Sequence, residues 1–148
     1  MPRGKGKSDP FSIRLATPED RFVRHEAQRL RRSRSTVVEE LTAEAIRMRR
    51  YPGIAFRGDD QRRRAWVIGT GLDVWEIVAL LRDFESEHDF AAEYALTRGQ
   101  IRIALAYSNE FENEVEELIA LGRRSPEEIA IRYPFIQSFG AATTLAGS

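Results

Sequence analysis

The stretch FSIRLATPEDRFVRHEAQRLRRSRSTVVEELTAEAIRMRR, residues 11–50, decides how the front of this chain folds. In FSIRL, apolar Phe11, Ile13 and Leu15 alternate with polar Ser12 and Arg14, the period-two pattern of a half-buried strand. Thr17 then reads as a helix N-cap with Pro18 at the first helical position, and Glu19 and Asp20 suit the positive end of the helix dipole. The stripe Val23, Ala27 and Leu30, with Phe22 beside it, is the face this helix should bury. The run RLRRSRS ends it. Ser33 caps a second helix, whose Val37, Leu41, Ala45 and Met48 share one face before Tyr51, Pro52 and Gly53 stop it.

A lone short strand with one apolar face is unstable, because its backbone groups need a second strand and its apolar side needs a roof. A second copy of the chain supplies both. Two such strands pair antiparallel, and four helices close over Phe11, Ile13 and Leu15, with Val37 and Leu41 in the shared core. The polar alternates of both strands then face outward as a ribbon that fits the DNA major groove. Ser12 and Arg14 are the expected base readers, Arg14 having the fork that pairs with guanine O6 and N7. Ser33, Arg34 and Ser35 offer N–H and hydroxyl groups to a backbone phosphate. Lys5 and Lys7, in a flexible basic arm over residues 1–9, add sequence-independent attraction. The competing reading is that the strand joins another sheet of the same chain.

In order and spacing, residues 10–50 resemble the ribbon-helix-helix (Arc-like) repressors. The resemblance implies a homodimer bound to double-stranded operator DNA. Relatives usually carry glycine between the two helices, whereas here Arg31 and Arg32 precede Ser33.

Taken whole, the 148 residues suffice for one ordinary domain or two very small ones, and an apolar fraction of 42% is enough to bury a core. The absence of cysteine excludes disulfides, thiolate zinc sites and a cysteine nucleophile, and only His25 and His88 remain for imidazole chemistry. No apolar run is long enough to cross a bilayer and no signal-peptide pattern opens the chain, so a cytoplasmic protein without membrane contact is expected. The net charge of zero hides a separation: residues 1–64 hold 17 Lys/Arg against 9 Asp/Glu, a balance of +8, and residues 65–148 hold 6 against 14, a balance of −8. A basic front suits a polyanion. The acidic back would be repelled by phosphate and suits a basic protein partner.

The second half opens with a hairpin pattern, IAF at 54–56 and WVI at 66–68 around a turn through Gly58, Asp59 and Asp60 that also carries Arg62, Arg63 and Arg64. A helix starts at Asp73, which with Glu76 forms a capping-box pair, and buries Val74, Ile77, Val78 and Leu81. A shorter helix covers Phe90 to Tyr94. Thr97 and Gln100 open a long one in which Ile101, Ala104, Leu105, Phe111, Val115, Leu118 and Ile119 lie near one stripe and Gly122 is the stop. Ser125-Pro126-Glu127-Glu128 signals a further helix start, leading through IAIRYPFIQSF into the featureless AATTLAGS.

From Gly53 to about Glu117 the chain resembles a small winged-helix-type family catalogued as domain of unknown function 433, found in many bacterial antitoxins. AWVIGTGLDVWEIV at 65–78 is similar to its V-x-G-T-R-I-x-V element, and LTRGQIRIALAY at 96–107 to its L-T-x-E-Q-I-R-A-A-L-x-Y helix. Gly71 stands where the family often has arginine. Proteins that join such a domain to a DNA-binding front resemble antitoxins encoded beside ribonuclease toxins of the PIN type. The resemblance implies a DNA-binding antitoxin that neutralises its toxin and represses their shared operon. The tail residues Arg132, Tyr133, Phe135, Ile136 and Phe139 are the candidate toxin contacts, Arg132 reaching toward an acidic metal centre. The alternative for the tail is packing on its own domain or dimer mate.

The expected fold class is therefore mainly α with short β: a flexible arm at 1–9, a ribbon-helix-helix dimer domain at 10–52, a winged-helix-like domain of β-hairpin and helices at 53–121, and a partner-binding tail at 122–148. GTGLDVW at 69–75 lacks the third glycine of a nucleotide loop and reads as a tight turn with a cap. Glu112, Glu114, Glu116 and Glu117 read as a solvated face, and His25 as a surface residue. No enzyme, metal or cofactor site is expected, since no nucleophile–base or ligand constellation is present. The alternative function is a stand-alone dimeric repressor whose second domain only oligomerises, with assembly beyond a dimer left open.

Overall fold

The computed structural model describes residues 6–58 and 63–122. Among them are six helices, α1 (Thr17–Leu30), α2 (Arg34–Arg50), α3 (Val74–Leu81), α4 (Glu87–Tyr94), α5 (Arg98–Glu110) and α6 (Glu112–Gly122), with two strands, β1 (Ile54–Arg57) and β2 (Arg64–Val67). The protein is mainly helical with one small antiparallel sheet. It divides into two compact units, Met1–Arg47 and Met48–Ser148, so the break falls inside α2 rather than after Pro52. The cause is local: Tyr51 packs against the second core, and Arg50 pairs with Glu110 at 2.6 Å, which assigns the end of α2 to the second unit.

In the first unit α1 starts a residue earlier than its sequence signals suggest. The Asp20 N–H donates to the Ala16 carbonyl at 2.9 Å, so Ala16 is the N-cap and Thr17 lies within the helix. Glu19 and Asp20 still occupy the first turn, where the dipole favours them. The far end answers the missing glycine. Arg31 itself adopts the left-handed conformation (φ 52°, ψ 47°), and Arg31 and Arg32 donate to the Gln28 and Ala27 carbonyls, the pair of bonds of a Schellman turn. Ser33 caps α2 as its position implies, its hydroxyl accepting from the Thr36 N–H at 3.1 Å. The core of this unit is three buried residues, Val23, Ala27 and Val37, with Leu15 and Val38 partly buried against them.

The second unit has a core of its own. In the hairpin Ile54 faces Val67 and Arg57 faces Arg64, and along β2 the even alternation buries Ala65 and Val67. Thr70 closes the turn after β2, its hydroxyl bonding the Val67 and Leu72 carbonyls while Gly69 takes φ 86°, so GTGLDVW is a tight turn leading into a capped helix. Helix α3 packs on β2, α5 and α6, and thirteen buried residues, among them Ile77, Phe90, Ile101, Tyr107 and Ile119, fill the space between.

The expected long helix from Thr97 to Gly122 is two. Phe111 leaves helical geometry at φ −109°, ψ 42°, and the chain restarts as α6. Both stripes stay buried: Ile101, Ala104 and Tyr107 on α5, Val115 and Ile119 on α6. The Tyr107 hydroxyl donates to Glu114 at 2.9 Å and so ties the two helices together. Helix α4 is longer than Phe90–Tyr94, because Ser86 caps it by accepting from the Asp89 N–H. Gly122 belongs to α6 rather than stopping it. A side chain there would meet the Trp75 ring at 2.7 Å, so close approach rather than a left-handed turn is what asks for glycine.

Candidate nucleic-acid interface

Residues 11–15 carry no strand in the single chain. The side chains follow the alternation only in part, since Phe11 is 80% and Ile13 52% exposed while Leu15 tucks partly against Val23 and Val37. Ser12 and Arg14 are exposed as well. A strand exists only when a neighbour accepts its backbone groups, and among the described residues of this unit there is no other strand. The expected shared core is thus assembled in one chain only at Val37 and, partly, Leu15; Leu41 remains 42% exposed.

Between α1 and α2 lies an open apolar groove of about 450 Å³, lined by Leu15, Phe22, Val23, Val38, Leu41 and Ala45 among others. Phe22 and Ile46 add to it two large side chains more than half exposed. Apolar area of this extent around a three-residue core is the mark of a surface that something else covers.

At the start of α2, the first N–H groups have no intrahelical acceptor, and Ser33 satisfies that of Thr36. Arg34 reaches back to α1, where its Nη2 donates to Asp20 Oδ1 at 2.5 Å, while Arg24 Nε donates to the other oxygen, Oδ2, at 2.7 Å. The hydrogen bond from Arg24, reinforced by the charge of Arg34, holds the Asp20 carboxyl below its ordinary value. Two neighbouring cations are paired in the same way, Arg32 with Glu40 and Lys7 with Glu39 at 3.4 Å. Of the expected phosphate contacts, Ser33 and Ser35 are exposed at the helix start, Arg34 and Lys7 are held by carboxylates, and Lys5 lies outside the described residues.

The second unit places a different cluster under the hairpin. Asp73 is 2% exposed and heads α3, its backbone N–H donating to Glu76 Oε1 at 3.1 Å. Its two oxygens accept from Arg57 Nε at 2.7 Å and Arg64 Nε at 2.8 Å, the facing pair at the end of the strand ladder. Arg57 also donates to the Gly71 carbonyl and stacks on the Trp66 ring, 5.2 Å from its centre. A carboxylate thus neutralised binds the hairpin to α3. Arg64 is a structural residue of this cluster rather than a wing-tip cation, and Arg63 donates to the Phe56 carbonyl.

That arrangement falls in the part of the chain with a recognisable relative. Residues 62–108 match the family described as Protein of unknown function (DUF433). The matched segment runs through β2, α3, α4 and most of α5, and so carries Asp73 and both tryptophans. Neither curated proteins nor solved structures gave a match.

Sequence reasoning placed Asp73 as a cap and missed its ion triad, for which the hairpin register, setting Arg57 beside Arg64, was the available signal. It also missed the Asp20 bridge, which joins residues distant in sequence and leaves no periodic trace. Glu114 and Glu116 are not simply a solvated face, since Tyr107 and Arg82 engage them. The expected toxin contacts Arg132, Tyr133, Phe135, Ile136 and Phe139 lie outside the described residues.

Proposed function

We propose that this protein is a DNA-binding antitoxin: a homodimer whose first unit grips operator DNA as a ribbon-helix-helix and whose acidic second half neutralises a PIN-type ribonuclease. The observation that carries the reading is the first unit's exposed apolar face, Phe11, Ile13, Phe22 and Leu41 around a core of only three buried residues. A second copy covers that face and gives residues 11–15 a strand to pair with. The basic balance of residues 1–64 supports a polyanion on the same half, and the −8 balance of residues 65–148 supports a partner with basic surface. The DUF433 match is consistent with the antitoxin resemblance of that half and adds no activity of its own.

The test is sedimentation of the full chain together with binding to the DNA upstream of its own gene. A dimer that binds this DNA is expected. Ile13→Asp should give a monomer that does not bind, and Arg14→Ala should lose about 1 to 3 kcal/mol and relax specificity at one base position. A chain monomeric at micromolar concentration overturns the reading. Co-purification with the product of the adjacent gene separates the antitoxin from a stand-alone repressor.

A further inference from the structure

We infer that Asp20 is a built-in competitor for the DNA backbone: in the free chain its carboxylate occupies Arg34, and duplex binding exchanges that carboxylate for a phosphate. The inference rests on the DNA-binding reading and names a control on the same surface. Carboxylate and phosphate present a guanidinium with the same chemistry, oxygen acceptors matched to the Arg fork, so one displaces the other without new geometry. Arg34 stands at the first position of α2, whose first turn holds no acidic residue. A cation at the positive end of a helix dipole is unfavourable unless an anion is brought to it, and Asp20 brings one from α1.

The release is inexpensive for the structure. Asp20 Oδ2 is held independently by Arg24 from the same helix, so when Arg34 turns away the carboxylate keeps a cation and is not left bare. The Arg34 side chain is half exposed, which leaves it room to turn, whereas Asp20 is less than a third exposed and stays with α1. Arg32 on Glu40 and Lys7 on Glu39 repeat the arrangement nearby, so a large part of this unit's positive charge is masked until phosphates compete for it. Binding is thereby tuned toward sites where several phosphates act together.

The experiment compares the salt dependence of duplex binding by the parental full chain, Asp20→Asn and Glu19→Gln. Glu19 is the adjacent first-turn acid, so its neutralisation removes the same charge from almost the same place without touching Arg34. The probe is a short mixed-sequence duplex, with far-UV circular dichroism confirming the fold of each protein. Asp20→Asn should bind several-fold more tightly at low salt and steepen the slope of log K against log salt by about 0.9, one additional phosphate engaged. Glu19→Gln should leave the slope at the parental value. Adding Arg34→Ala should abolish the gain of Asp20→Asn.

Equal slopes for the two variants overturn the inference, and so does weaker binding by Asp20→Asn, which would make Asp20 a positioning group for Arg34. Asp20→Ser is the second neutral variant if the first does not fold. Loss of fold in both makes the contact a structural tie and overturns the inference too. Failure of the parental chain to bind any duplex is a separate result, since it defeats the DNA-binding reading itself.

Discussion

Replacing Asp73 should unseat the hairpin from α3. The carboxylate accepts two charge-assisted hydrogen bonds at 2.7 and 2.8 Å from Arg57 and Arg64, and such bonds contribute about 1.5 to 3 kcal/mol each. The sum overstates the loss. Arg57 and Arg64 keep 38% and 36% of their side-chain surface exposed and can turn to water once released, and removing the carboxylate recovers its own desolvation cost. The net expectation for Asp73→Ala is a loss of about 2 to 3 kcal/mol. Asp73→Asn should be no milder, because its amide would aim N–H groups at a guanidinium. Both tryptophans of the chain, Trp66 and Trp75, lie beside this cluster, so urea unfolding followed by their emission reads the second unit without interference from the first. With a urea slope of about 1 to 3 kcal/mol/M, the midpoint should fall by about 1 M at unchanged slope. A loss under about 0.5 kcal/mol would refute the reasoning. Replacing Arg57, Arg64 and Asp73 together by apolar residues of similar size should cost less than removing Asp73 alone, since no charge is then stranded.

Three further outcomes are expected. Gly122→Ala should destabilise the second unit, because the overlap of its methyl with the Trp75 ring, about 1 to 3 kcal/mol, outweighs a helix-propensity gain of about 1 kcal/mol; a raised melting temperature would contradict the close approach. Arg31→Gly should stabilise the first unit by about 1 kcal/mol by relieving a left-handed conformation on a residue with a Cβ, as measured by helix loss in far-UV circular dichroism. Because the folded-state pKa of Asp20 is depressed, its contribution is present above the ordinary carboxylate range and disappears as pH falls through the folded value. Melting temperatures of Asp20→Asn should accordingly change less with pH in that acidic window than those of the parent.

How far the sequence alone reached depends on which force shaped each element. Helices whose ends are marked by local chemistry were legible: Ser33 before α2 and Thr97 with Gln100 before α5 act through their own backbone neighbours, so their signals sit in adjacent letters. The split at Phe111 was not, because the apolar period continues through it. What breaks the helix is the packing of the Phe111 ring 4.6 Å from that of Tyr107, together with the Tyr107–Glu114 bond. In the candidate interface, exposure at Ser12 and Arg14 could be anticipated from alternation. The capture of Arg34 by Asp20 could not, since it depends on how the turn through Arg31 brings α2 back toward the first turn of α1.

The unequal cores of the two units make dilution act on them differently. Thirteen buried residues give the second unit an interior that no neighbour has to complete, so its melting should ignore protein concentration. Three buried residues give the first unit too little, and its order is lent by whatever lies over Phe11, Ile13 and Phe22. One chain therefore carries a permanent half and a half that exists by mass action, and a cell that lowers the protein's abundance erodes the first unit while leaving the second intact.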